Sequence, residues 1–146
     1  MRDRARRVRA LTALVAKVPP GDDCAHTCWC GDDTLVFRPA DLVPSERALV
    51  EGARALRRAV DVERVVLVVD CVELTPAHCT RLWRDATWSQ IRRGLRLFST
   101  LPCGVDALVV HPPAAPFPLW DRVVRGVAAL LPRKLRARIV IEDPGG

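Results

Sequence analysis

Residues 105–142 (VDALVVHPPAAPFPLWDRVVRGVAALLPRKLRARIVIE) confine the fold more than any other stretch. Val105–Val110 is an apolar run of strand length, and His111-Pro112-Pro113 ends it because proline cannot donate to a sheet ladder. Trp120, Val123, Val127 and Leu130 then recur at helical spacing, which predicts one apolar helix face. Pro132 closes that helix, and Ile139-Val140-Ile141 reads as a further strand. Strand, helix and strand with both strands almost wholly apolar predict a βαβ unit in a buried, mostly parallel sheet.

Upstream segments repeat the alternation. Arg64–Asp70 (RVVLVVD) has five consecutive Val and Leu residues, a run that predicts cover on both sheet faces. Thr34–Arg38 (TLVFR) is a shorter strand ahead of Pro39. A helix is expected from Ser45, a natural N-cap, to about Val60, with Leu49, Ala53, Leu56 and Val60 buried and Arg54, Arg57 and Arg58 wet. Thr75-Pro76 opens another in the favoured order of cap and then proline. Its first apolar stripe (Cys79, Leu82, Trp83, Ala86) is out of phase with the second (Trp88, Ile91, Leu95, Phe98), so a break is expected near Thr87–Ser89. The expected class is α/β: one mostly parallel sheet flanked by helices, preceded by a basic amphipathic helix.

That first helix spans residues 2–18. Val8, Leu11, Val15 and Val18 share a face, and Arg2, Arg4, Arg6, Arg7 and Arg9 crowd its start, where positive charge opposes the helix dipole. The stripe suits docking on the domain, and the arginines suit peripheral contact with an anionic membrane or an acidic partner. The organisation expected is a helix over 1–20, a Cys-rich loop over 21–33 and an α/β domain over 34–146. Cytoplasmic residence is expected: no apolar run approaches a membrane span, and the N-terminus lacks a signal-peptide pattern.

The formal charge of +6 invites a nucleic-acid reading. Composition argues against it. Only Lys17 and Lys134 are lysine, and Asn and Tyr are absent, which reads as GC-rich coding rather than selection for phosphate contacts. Of six cysteines, Cys71, Cys79 and Cys103 fall in or beside core elements. Cys24, His26, Cys28 and Cys30 form a weak metal candidate: Cys24 and Cys28 have knuckle spacing, but no second pair follows. The blander reading packs Cys28-Trp29-Cys30 on the core. No cofactor is expected, since no glycine-rich phosphate loop, nucleophile elbow or metalloprotease motif is present.

Asp70, at the carboxyl end of a central strand, with Glu73 and His111, forms the only acid/base set on offer. Capping of the next helix is the simpler role for Asp70, and no nucleophile or oxyanion pattern accompanies the set, so no enzymatic activity is expected. Trp83 and Trp120 sit on apolar stripes and are expected in the core. Trp88, at the phase slip, is expected to be exposed or to line a pocket.

TLVFRP at 34–39, RVVLVVD at 64–70 with Leu82-Trp83-Arg84-Asp85-Ala86 after it, and residues 107–142 with their His-Pro turn and central aromatic resemble, in order and spacing, a CRAL-TRIO domain, most closely its BCH-type branch. The resemblance covers about three quarters of the chain. Two departures are visible: the preceding helical domain is reduced to residues 2–18, and the later helix that gates the lipid pocket has no counterpart before Gly146. The resemblance implies a non-enzymatic module that binds a protein partner, either itself or a small-GTPase signalling component. Its alternative is a lipid or other hydrophobic ligand. Trp88, Ile91, Phe98, Phe117 and Trp120 are the candidate contact residues. A STAS-like regulatory domain is the second alternative.

Overall fold

The computed structural model describes residues 25–99, 101, 103–115, 117–131 and 133–141, without the side chains of Arg58, Phe98, Ser99 and Lys134. The expected N-terminal helix, with Arg2, Arg4, Arg6, Arg7 and Arg9, lies outside the described residues, as does Cys24. The elements are β1 (Thr27–Cys30), β2 (Thr34–Phe37), α1 (Glu46–Leu56), β3 (Arg64–Asp70), α2 (Pro76–Asp85), α3 (Trp88–Ser99), β4 (Gly104–His111), α4 (Trp120–Leu130), α5 (Arg133–Arg136) and β5 (Ile139–Ile141). The protein is α/β, with one five-stranded sheet flanked by helices.

The sheet is mostly parallel, in the order β1-β2-β3-β4-β5. Only the β1–β2 pair is antiparallel. Residues 21–33, expected as a loop, therefore contain a strand. Gly31, at φ +75°, makes the tight turn that lets Thr27–Cys30 fold back on β2.

From β2 to β5 the spatial order follows the chain without reversal. Right-handed crossovers that all step in one direction place their helices on one face of the sheet, and the core agrees. Ala53 and Leu56 of α1, Leu97 of α3 and Leu135 of α5 join Trp29, Leu35, Val65, Leu67, Val105 and Leu108 of the strands in one buried cluster. Trp29, Leu35, Leu67, Leu108 and Ile139 form a continuous row across the sheet.

The alternate row is Cys28, Val36, Val68, Val109 and Val140. It contributes nothing to the buried cluster. Four of its members are half-buried, and Val140 is 51% exposed. The apolar run of β3 predicted cover on both faces. Instead Val65 and Leu67 are buried and Val66 and Val68 are only half-buried.

β4 departs from strict alternation because Val65 pairs with Val105 and Val66 with Ala107, so Asp106 is an inserted residue. The insertion lets Val105 and Leu108, three apart, both enter the core. Asp106 projects outward to an ion pair with Arg64.

The helix ends follow the sequence signals. The Ser45 hydroxyl accepts the Ala48 N–H at 3.0 Å. Thr75 and His78 cap α2 reciprocally, with Pro76 in its first turn. The expected break is real: α2 stops at Asp85, and Thr87 exchanges hydrogen bonds with Gln90 to start α3. α3 is tied to α1 by a two-pronged Arg93–Glu46 contact at 2.7 and 2.5 Å.

Candidate functional site

The carboxyl ends of β2, β3 and β4 bring together residues far apart in the chain. Arg38 follows β2, and Asp70 and His111 end β3 and β4 as register partners. The Arg38 Nε donates to Asp70 Oδ2 at 3.3 Å, and its Nη1 lies 3.6 Å from Cys28 Sγ. The Asp70 hydrogen bond raises the Arg38 pKa further above its ordinary value. The other Asp70 oxygen, Oδ1, accepts the Val72 N–H at 3.2 Å. Asp70 thus pins the turn after β3 and does not cap α2, whose cap is Thr75. The structure places Asp70 beside His111 as the sequence suggested and leaves Glu73 exposed.

Beneath this edge, Cys71 is 3% exposed, and burial pushes its thiol up to about 12. Its backbone N–H donates to the His111 carbonyl at 3.0 Å. A thiol held protonated in this way is a packing group rather than a nucleophile. Because the strand order never reverses between β2 and β5, this edge also lacks the switch-point crevice in which open α/β sheets hold ligands.

The candidate metal ligands separate. Cys28 and Cys30 share one side of β1, with Cys30 exposed. His26 turns the other way and is 5% exposed, with Nδ1 2.8 Å from Thr27 Oγ1 and its ring edge against Phe37. Burial lowers its pKa, against a smaller opposing pull from Glu51. Among the described residues no group of three His, Cys, Asp or Glu side chains has metal-binding geometry. Of the Cys28-Trp29-Cys30 cluster expected on the core, only Trp29 packs there, and its Nε1 donates to the Ala55 carbonyl at 2.6 Å.

The aromatic candidates fall into two places. Trp88 opens α3 and is 54% exposed, with the Arg92 guanidinium 5.9 Å from its ring centroid. Ile91 is half-buried on the same helix. The Phe98 side chain lies outside the described residues. Phe117 and Trp120 meet edge-to-face at 6.2 Å at the start of α4 and are half-buried, so Trp120 is not the core residue its stripe predicted.

Trp83 corrects the reading most sharply: expected in the core, it is 80% exposed. The physical reason lies in the crossover. α2 and α3 share the β3-to-β4 connection, and α3 supplies the core residue Leu97 while α2 has no buried residue. The Arg81 Nη2 holds α2 to the chain after β2, through the Ala40 and Leu42 carbonyls at 3.2 and 3.4 Å. Cys79, Leu82 and Ala86 are half-buried, and Trp83 is turned outward.

No family model, curated protein or solved structure matches this chain. Among the described residues no helix is long and apolar enough to cross a membrane.

Proposed function

We propose that this chain is a non-enzymatic interaction module whose contact surface centres on the α2–α3 junction. The observation that supports this is the pair Trp83 and Trp88, 80% and 54% exposed on either side of the Ala86-Thr87 break. Tryptophan and arginine dominate the binding energy of protein interfaces. Here Arg84 follows Trp83 in sequence, and the Arg92 guanidinium lies 5.9 Å from the Trp88 ring centroid. The junction is also pre-organised by the Thr75 and Thr87 caps, the Arg81 tie and the Arg93–Glu46 contact. Such rigidity lowers the entropic cost of binding.

The resemblance stated above makes a small-GTPase signalling component the first partner class to assay, with a second copy of the chain beside it. Cys28, Cys30, Cys71 and Cys79 are free thiols, which fits a reducing, cytoplasmic setting. The test compares wild type with the Trp83→Ala/Trp88→Ala double variant, using light scattering for self-association and calorimetry against small GTPases in both nucleotide states. An association that disappears in the folded double variant supports the proposal. Associations indifferent to both indoles, or a strict monomer that binds none of these proteins, refute it.

A second reading, binding of a hydrophobic small molecule, is favoured by the half-buried valine row Val36, Val68 and Val109. Mass spectrometry of solvent extracts from native protein tests it, and a clean extract counts against it.

A further inference from the structure

The apolar arc of α4 is wider than the face that docks on the sheet. At about 100° per residue, Leu119, Leu130, Val123, Val127, Trp120, Leu131 and Val124 sweep through about 140° of the helix. Leu131, at one side of that arc, packs against the core cluster. The other side stays in water: Leu119 is 52% exposed, and Val127 and Leu130 are each 47% exposed. Gly126 is the next position around the helix from this strip and Arg122 the one after it, while Asp121 and Arg125 both fall on the far side.

Five arginines lie between Trp120 and Ile141. Arg38, Arg47, Arg64, Arg84 and Arg93 each meet a carboxylate. Arg122, Arg125, Arg133, Arg136 and Arg138 are all exposed, and none forms an ion pair among the described residues. A second copy would bring the same arginines, unpaired among the described residues, to the contact, which opposes self-association here. We infer that the exposed flank of α4 docks on an anionic bilayer surface, with Leu119, Val127 and Leu130 entering the acyl boundary and Arg122 and the arginines of α5 meeting lipid phosphates. Aliphatic residues beside exposed arginines need no shaped receptor. They suit a fluid apolar layer beneath a negative headgroup plane.

Gly126 gives a clean test. It sits on the proposed contact face between Arg122 and Leu119, and a Cβ built there meets nothing within 4 Å. Substitution therefore costs no packing and improves helix propensity. The full chain is sedimented with phosphatidylcholine vesicles with and without phosphatidylserine. Wild type should bind only the phosphatidylserine vesicles, and salt should weaken that binding. Gly126→Glu should weaken it about fivefold, and Gly126→Leu should strengthen it, both with unchanged circular dichroism.

The same pair of changes is repeated with Arg2, Arg4, Arg6, Arg7 and Arg9 replaced by Gln, to separate the N-terminal arginines from α4. Binding that persists there and still responds to Gly126 supports the inference. Binding that vanishes there while Gly126 changes have no effect overturns it. Failure of wild type to bind phosphatidylserine vesicles also overturns it, whether or not an acidic protein occupies the face.

Discussion

The unequal cover of the two sheet faces makes a matched pair of substitutions decisive. Val65 and Val68 lie on the same strand, so Val→Ala removes the same atoms and the same strand propensity at each. Val65 is 1% exposed inside the core cluster, whereas Val68 is half-buried on the opposite face. Removing two buried methyl groups forfeits about 1.6 kcal/mol of transfer free energy at about 0.8 kcal/mol each. The cavity left at Val65 brings its total to about 2–3 kcal/mol. At Val68 the lost contacts are partly with water and no closed cavity forms, so about 1 kcal/mol or less is expected. For a chain of this size the corresponding falls in Tm are about 6–12 °C and about 4 °C or less. Urea titration of both variants, with thermal melts by circular dichroism, measures the difference. Equal losses at the two positions would refute the single-faced core, because they would require Val68 to be buried as completely as Val65.

Other outcomes follow from the same packing. His26 is held neutral by burial, so the unfolded chain binds its proton more readily than the folded one. Stability should be unaffected by this group above about pH 6.5 and should fall as the pH drops below that value, and His26→Gln should flatten the slope in urea titrations. Alkylation of the native protein at pH 8 should label exposed Cys30 and spare Cys71, whose thiol stays protonated, with both reacting in denaturant; mass spectrometry of the labelled peptides reads this directly. Ser45→Ala should cost about 1 kcal/mol by removing the α1 cap, measured by urea titration.

Much of the local structure was legible because short-range physics decides it. Ser45, Thr75-Pro76, the phase slip at Thr87 and the Pro112 stop each mark an element boundary in the sequence, and each boundary lies within a residue or two of its signal. The buried stripe of α1 was also visible, since Ala53 and Leu56 are fully enclosed and Leu49 packs beside them, although the α-helix stops at Leu56 and Val60 packs there from a 3-10 turn over Arg57–Asp61. The β1 strand was missed because four residues between Asp and Gly pairs carry too little pattern. Only pairing with β2 and the Trp29 hydrogen bond to Ala55 make them a strand.

At the candidate surfaces the sequence distinguishes less. Trp83 and Leu82 share one apolar stripe, and nothing in their spacing says which of them meets the protein and which meets water. Likewise Val123, Val127 and Leu130 form one helical stripe, yet the last two are almost half exposed. Periodicity specifies that a helix has an apolar face and where that face begins and ends. It does not specify how much of the face a neighbour covers. That is set by the strand order, which runs from β2 to β5 without reversal, gathers α1, α3 and α5 over one side of the sheet, and leaves α2 and the flank of α4 with apolar residues in water. The sequence by itself determined β2 to β5, the longer helices, the Ser45 and Thr75 caps and the α/β class, because these depend on neighbours within a few residues. The tertiary structure alone decided which apolar faces are core and which are surface, because burial depends on contacts between segments distant in the chain.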